Sequence, residues 1–450
     1  MMKQILLYIL LIVPLFSLQC QVQIRPAPKK GYEKRIRDYV DQMRVVDTHE
    51  HLMNPAGISK SGMCDFTLLL HHYADDDLKS AGMSKPGFER ILSDSLSVPD
   101  KWKEIETYWN GSSNTAYNRA VLLTAEKLFG INDINAGTVV ELSARIKNAY
   151  KGDWLNQVLK DKCRLDYVVV DGSDRSFGDP AMFRYVKRFD YINIDSRGKI
   201  GAISKRCNSE MNTLDDLVSA MEKEFRESFR DGCVAVKIGV AYNRILFFDE
   251  VSREKATESL NKIMIHGSDA SLPFEEVKPL QDYLTHRLLD LASEEKIPVQ
   301  IHTGLQAGDG NIIENSNPVH LANLFLKFRD VKFILFHGGY PYGGELATLA
   351  KNFRNVYIDM CWLYIISPSY SERYLNEWLE TVPANKIMAF GGDFHNVEGV
   401  YGHLLFARQV VANVLIEKVR SRYITENEAI KIAGMILHDN ALSVLKLNKQ

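Results

Sequence analysis

Six side chains able to bind metal or move protons sit at the ends of short apolar runs. "VVDTHEHLM" carries His49 and His51, two residues apart. On a strand, alternate side chains share a face, so these imidazoles would point the same way. "VAVKIG" carries Lys237, "VQIHTG" ends in His302, "FILFHGG" in His337 and "MAFGGDF" in Asp393. Each has a plain reading by itself: a hydrogen-bonded histidine, a lysine reaching out of a sheet, an aspartate in a turn. Together they are harder to dismiss, because burying four imidazoles, a carboxylate and an amine without a metal would be costly. Imidazole and carboxylate suit Zn²⁺ or a similar borderline divalent ion, with a position left open for water.

The elements that would gather these groups alternate along the chain. Apolar, β-branched stretches occur at "RVVDTHEH", "RLDYVVVDG", "FDYINID", "CVAVKIGV", "IPVQIHTG", "VKFILFHGG", "NVYIDMCW" and "KIMAFGGDF". Helical stretches such as "TLDDLVSAMEKEFRESFRDG" and "SERYLNEWLETVP" separate most of them. Eight strand–helix units predict an α/β fold, a (β/α)₈ TIM barrel, with chemistry at the C-terminal ends of the strands. A doubly wound open sheet is the alternative. The stretch from about residue 55 to 160 is too long for a plain strand–helix connection. Its helical periodicity predicts an insertion over the mouth after strand one, or else a small separate domain. A second excursion follows the fourth strand.

Composition narrows the field. Of 450 residues, 46% are hydrophobic and 25% charged, as in an ordinary globular enzyme. A net charge of −2 and the lack of a basic stripe argue against nucleic acid as a partner. The run Ile5–Leu18 is short for a membrane span and reads as a signal peptide, residues 1–20, leaving 21–450 as the exported enzyme. No stable membrane span is then expected, and the destination is the periplasm or the medium. An uncleaved anchor or a lipid on Cys20 are the alternatives. Cys64, Cys163, Cys207, Cys233 and Cys361 are scattered, without a CxxC pair or a disulfide framework.

The ordered set "DTHEH", Lys237, "IHTG", "FHGG" and "GGDF" resembles the amidohydrolase superfamily of metal-dependent barrels. From residue 231 on, "VKIGVAYNR", "HTGLQAGDGN" and "HGGYPYGGELATLA" look most like the amidohydrolase domain of glutamine-synthetase-like fusion proteins. "HHYADDDLKSAGM" and "KLFGI" are faintly similar to uronate isomerases, a branch of the same superfamily. The resemblance implies that His49, His51 and Asp393 bind one ion. In one-metal members His302 joins them and His337 contacts substrate or helps activate water. In two-metal members His302 and His337 hold a second ion, bridged by a carboxylated Lys237. Asp393 would also take a proton from water, whose pKa the ion lowers towards about 7.

The remaining residues carry weaker expectations. Glu50 should face away from the two histidines as a support. His395, His403, Arg244, Tyr340 and Trp362 could touch substrate, with Arg244 expected to reach a carboxylate. The leading expectation is a metal-dependent hydrolase of a C–N or C–O bond in a small polar molecule, possible as a homo-oligomer. A lyase or isomerase on the same ligands is the alternative, and a non-catalytic exported binding protein a further one.

Overall fold

The computed structural model describes residues 28–266 and 269–448, so the expected signal peptide lies outside the described residues. Eight strands form one sheet in sequence order: β1 (Val45–Glu50), β2 (Leu165–Val170), β3 (Phe183–Arg188), β4 (Cys233–Ile238), β5 (Val299–Ile301), β6 (Phe333–Leu335), β7 (Val356–Asp359) and β8 (Ile387–Met388). Every neighbouring pair is parallel. The two edges meet through main-chain bonds: Thr48 N–H donates to Phe390 O at 3.1 Å, and Asp393 N–H to His49 O at 2.9 Å. The architecture is a (β/α)₈ barrel, in which every strand end opens on one mouth.

Local sequence explains the surrounding helices. Thr213 and Asp216 form a capping box at the start of Leu214–Arg230. That helix buries Leu214, Leu217, Met221 and Phe225, whose spacing of three and four puts them on one face. The long apolar helix Val397–Arg420 would pass for a membrane span by composition, but two thirds of its apolar window (67%) is buried inside the protein. Between β1 and β2 the chain is helical, with Val98–Ser112, Ala116–Phe129 and Val139–Ala149 as its longest pieces.

The third strand is not where the sequence reading puts it. "FDYINID" forms a short 3₁₀ turn, Asp190–Asn193, with Tyr191 and Ile192 buried. It is apolar because it packs on the helix Phe274–Glu294, where Gln281 Nε2 donates to Ile194 O at 3.0 Å. The true strand, "FRYVKR", carries charges that find partners: Lys187 meets Glu224 and Arg188 meets Asp171. Lys187 pairs at 2.5 Å with Glu224 of the helix Leu214–Arg230.

Candidate metal centre and active site

β1 and β8 build the first half of the site. Past β8 the chain must pass close under β1, and two glycines permit it. A Cβ on Gly392 would stand 1.8 Å from Glu50 Oε1, and one on Gly391 2.7 Å from Thr48 Oγ1. Glu50 supports this turn by accepting from Phe394 N–H at 2.7 Å. Asp393 Oδ1 then lies 3.4 Å from His49 Nε2 and 3.3 Å from His51 Nε2. Burial alone would push the Asp393 carboxyl up, but its contacts with His51, His49 and His337 hold it well below the usual carboxylate range. Burial, reinforced by Lys237, keeps His49 neutral by pushing it well below its ordinary value.

This trio fits a divalent ion. Its ligand atoms lie within 4.8 Å of one another. Bonds of about 2.0–2.1 Å to a tetrahedral ion imply ligand–ligand edges of about 3.3–3.4 Å, which the two imidazole–carboxylate distances match. His51 Nδ1 faces the carbonyl oxygen of Asp171 at 3.0 Å, and a carbonyl only accepts, so that nitrogen carries the hydrogen. With Nδ1 so engaged, Nε2 is the ring nitrogen turned to Asp393, or to a cation held between them.

β4, β5 and β6 build the second half differently. His302 Nδ1 meets His337 Nε2 at 2.9 Å, while His302 Nε2 faces Leu305 O at 2.9 Å. His337 Nδ1 lies 3.1 Å from Cys361 O and 3.8 Å from Asp393 Oδ2. Burial, then His337, pushes His302 well below its ordinary value, and burial lowers His337 to about 4. Two neutral imidazoles thus supply two N–H groups to three contacts. His302 is not gathered with His49, His51 and Asp393; its ring is engaged with His337 and the Leu305 carbonyl. Lys237 Nζ sits 3.4 Å from His49 Nε2 and 3.6 Å from the centre of the Phe336 ring. Burial lowers it to about 8, against the pull of Asp171.

The backbone is strained where it delivers these groups. His337, Trp362 and Asp393, just past β6, β7 and β8, adopt φ of 62°, 64° and 63°, and His72 in the helical insertion adopts 99°. Left-handed conformations of non-glycine residues cost on the order of 1–3 kcal/mol each and cluster where geometry is imposed by function.

The insertion supplies a roof. Tyr73 stacks on Trp362 at 4.4 Å between centroids, and Trp362 meets His337 edge-on at 5.2 Å. His72 stacks on His395 at 3.8 Å, and both rings lie 5.9 Å from His51. Trp362 and His395 are therefore beside the centre. His403 braces it from behind, with Nδ1 at 3.0 Å from Gly392 O.

Arg244 does not fill the role expected of it. Its guanidinium is buried against Asp282 at 2.7 Å and Gln281 at 3.0 Å, on the helix behind β4. Tyr340 packs edge-on against Tyr370 of the helix Pro368–Thr381, at 4.7 Å. Two residues that sequence reasoning missed stand closer in. Asp171, after β2, lies 3.9 Å from His49 Nε2 and is held by Arg188, at the end of β3, at 2.6 Å. A cavity of about 740 Å³ is lined by His51, Asp171 and Arg188, together with Lys187, Arg175 and Glu224. Reading the first polar residue after "VVV" as a strand-end group would have found Asp171; Arg188 was hidden by the misplaced third strand.

Comparison with known proteins agrees with this picture. Residues 260–447 match the amidohydrolase family model. Protein fluG of Emericella nidulans is 33% identical over 209 residues, or 45% of this chain, and the chain spans only 24% of that protein's length. Uronate isomerase from Thermotoga maritima superposes with a TM-score of 0.78 at 18% identity, over 93% of this chain and 98% of its own. Glucuronate isomerase from Caulobacter crescentus gives 0.76 at 15% identity, over 95% and 97%. A Lactobacillus casei protein named as a metal-dependent hydrolase gives 0.65 at 16% identity, over 92% and 98%. The fold is a (β/α)₈ barrel whose strand ends bring together groups that could hold a metal ion. The likeness to the amidohydrolase family lies in residues 260–447, and the likeness to the solved structures is one of fold.

Proposed function

We propose that this protein is a metal-dependent hydrolase of a C–N or C–O bond in a small polar molecule. The observation that carries the reading is the placement of Asp393, which turns one oxygen to His49 and His51 and the other to His337. A divalent ion on His49, His51 and Asp393, for which we propose Zn²⁺, would supply Lewis acidity to a substrate oxygen and make water a better nucleophile. Asp393, held ionised, accepts the proton at Oδ2. His337 Nδ1, whose hydrogen faces the Cys361 carbonyl at 3.1 Å, gives that hydrogen to the leaving group and regains one from Asp393 Oδ2 at 3.8 Å. Its partner His302 fixes the ring, and Trp362 with Tyr73 shields this exchange from bulk water. Arg188 replaces Arg244 as the cation for an acidic substrate group, since it lines the same cavity as His51.

Isomerisation is the second reading. It is favoured by the length over which the fold follows the uronate isomerases, the insertion between β1 and β2 included. Turnover of a panel of N-acyl amino acids, lactones and uronates in H₂¹⁸O separates the two. Hydrolysis places one heavy oxygen in the product; an unlabelled product equal in mass to its substrate overturns the hydrolase reading. We also propose export through the Ile5–Leu18 segment. The intact mass of the native protein tests it, and a cytoplasmic chain starting at Met1 would refute it.

A further inference from the structure

We infer that the loop after β5, residues 304–316, is a strap shut over the His302 side of the mouth, and that Asp76 of the helical insertion is the clasp that holds it. The inference concerns what covers the site and stands whichever reaction the mouth performs. The two sides of the mouth differ in cover. His51 opens on the cavity lined by Asp171 and Arg188, and 23% of its side chain is exposed. His302 and His337 end neighbouring strands of the same barrel, yet both are buried.

The ends of the strap are fixed. Gly304 N–H donates to Ser316 O at 2.9 Å, which joins one end to the other, and Leu246 N–H donates to Asn315 O at 3.0 Å. Gly304 has a φ of 77°, and a Cβ there would stand 2.5 Å from Tyr340 O, so this end is tightly packed. The tip differs: Gly308, Asp309 and Gly310 are exposed. A Cβ on Gly308 or Gly310 would meet nothing within 4 Å. A stretch with little packing and exposed backbone hydrogen bonds opens locally at low cost.

The tip is held from both sides of the mouth. Ala307 N–H donates to the Tyr242 hydroxyl at 3.1 Å, and Gly308 N–H to Asp76 Oδ2 at 2.9 Å. Tyr242, after β4, lies against His302 with ring centroids 4.8 Å apart. Asp76 lies on the helix Ala74–Ser80, which follows Tyr73, the ring stacked on Trp362 beside His337. The clasp thus ties the cover of His302 to the cover of His337. Asp76 keeps Lys79 Nζ 3.5 Å from its other oxygen, so its charge is balanced without the strap. Release of Gly308 therefore leaves no uncompensated charge behind, and the clasp can open and shut. A shut strap keeps water from the two histidines and an open one admits it, which is how covering loops act over reaction centres.

Hydrogen exchange and histidine labelling of the full chain, as purified, test the clasp. Asp76→Ala should speed exchange of the peptide over residues 305–312 by about tenfold or more, because a hydrogen bond to a charged acceptor is lost. It should also raise labelling of His302 by diethyl pyrocarbonate, measured against His438, which lies beside Asp166 at the far end of β2. Asp76→Asn keeps an oxygen facing Gly308 and should restore most of the protection. Tyr242→Phe loosens the same tip from the other side and leaves the insertion whole. It keeps the test alive if Asp76→Ala misfolds, which circular dichroism reports. Exchange in the parent as fast as in both loosened variants overturns the inference. So does a strap that loosens with no gain in His302 labelling, since it then covers nothing. An Asp76→Asn protein as loose as Asp76→Ala would also overturn it, by showing that the acceptor oxygen is not what holds the strap.

Discussion

The mouth of this barrel has two halves built from the same side chains to different ends. On the β1–β8 side, two imidazoles turn towards an ionised carboxylate at 3.3 and 3.4 Å, the spacing of ligands around a small ion. On the β5–β6 side, two imidazoles turn towards each other at 2.9 Å, and their outer nitrogens meet carbonyl oxygens. Histidines two residues apart after one strand converge on a point outside the chain. Histidines from adjacent strands, rotated by left-handed backbone at His337, pair with each other. Identity alone does not make a ligand; what the second nitrogen touches decides whether the first is free.

The sharpest way to break this contrast is at Asp393, which both halves share. Asp393→Ala should strip the ion and lower turnover by at least about 10³-fold, measured by elemental analysis and steady-state kinetics. A variant that keeps its ion and its rate would dissolve the distinction. His337→Gln should act on one half only, losing about 10²–10⁴-fold in turnover with the ion retained. If it loses the ion instead, the β5–β6 side is a ligand set after all.

Arg188→Met probes the support beneath the β1–β8 side. Arg188 holds Asp171, whose carbonyl fixes the hydrogen on His51 Nδ1. Groups that orient ligands in this way are worth about 10–100-fold in metal affinity. The expected result is weaker metal binding in a chelator competition, together with a raised KM for an acidic substrate that persists at saturating metal. Unchanged affinity would show that the His51 orientation does not depend on the Asp171–Arg188 pair.

The barrel and much of its mouth were legible because buried parallel strands are apolar runs, and the first polar residue after each run is conspicuous. His302 and His337 stood out for that reason, and His49 and His51 by their spacing of two at the end of a strand. β3 was not legible, since Arg184, Lys187 and Arg188 break its apolar run, and a buried 3₁₀ turn imitated a strand beside it. Arg244 misled because a cation after a strand looks the same whether it faces the mouth or, as here, Asp282 on a neighbouring helix. Pairing between His302 and His337, and the approach of Cys361 through a left-handed turn, depend on backbone angles that residue types do not announce.

The smallest expected effect tests whether the rule for Asp393 holds away from the mouth. Glu398 is equally buried but has no imidazoles around it; its partners are Trp154 Nε1 at 2.8 Å and the Tyr150 hydroxyl at 3.1 Å, both donated by the segment between β1 and β2. Burial therefore wins, and its carboxyl is pushed up to about 7. A carboxyl whose folded pKa lies above its unfolded value holds its proton more tightly when folded. Its stabilising share is complete below the ordinary carboxyl range and is lost as pH rises to about 7. A shift of this size corresponds to about 3 kcal/mol as an upper figure. Glu398→Gln keeps an oxygen acceptor for Trp154, reverses the Tyr150 contact so that the hydroxyl accepts from the amide, and removes the charge. It should leave metal content alone, melt close to the parent near pH 5 and melt higher than the parent at pH 8. A variant that melts lower at pH 8 would mean that Glu398 is ionised and favourably held, as Asp393 is, and that burial without imidazole neighbours does not decide the charge of a carboxyl in this protein.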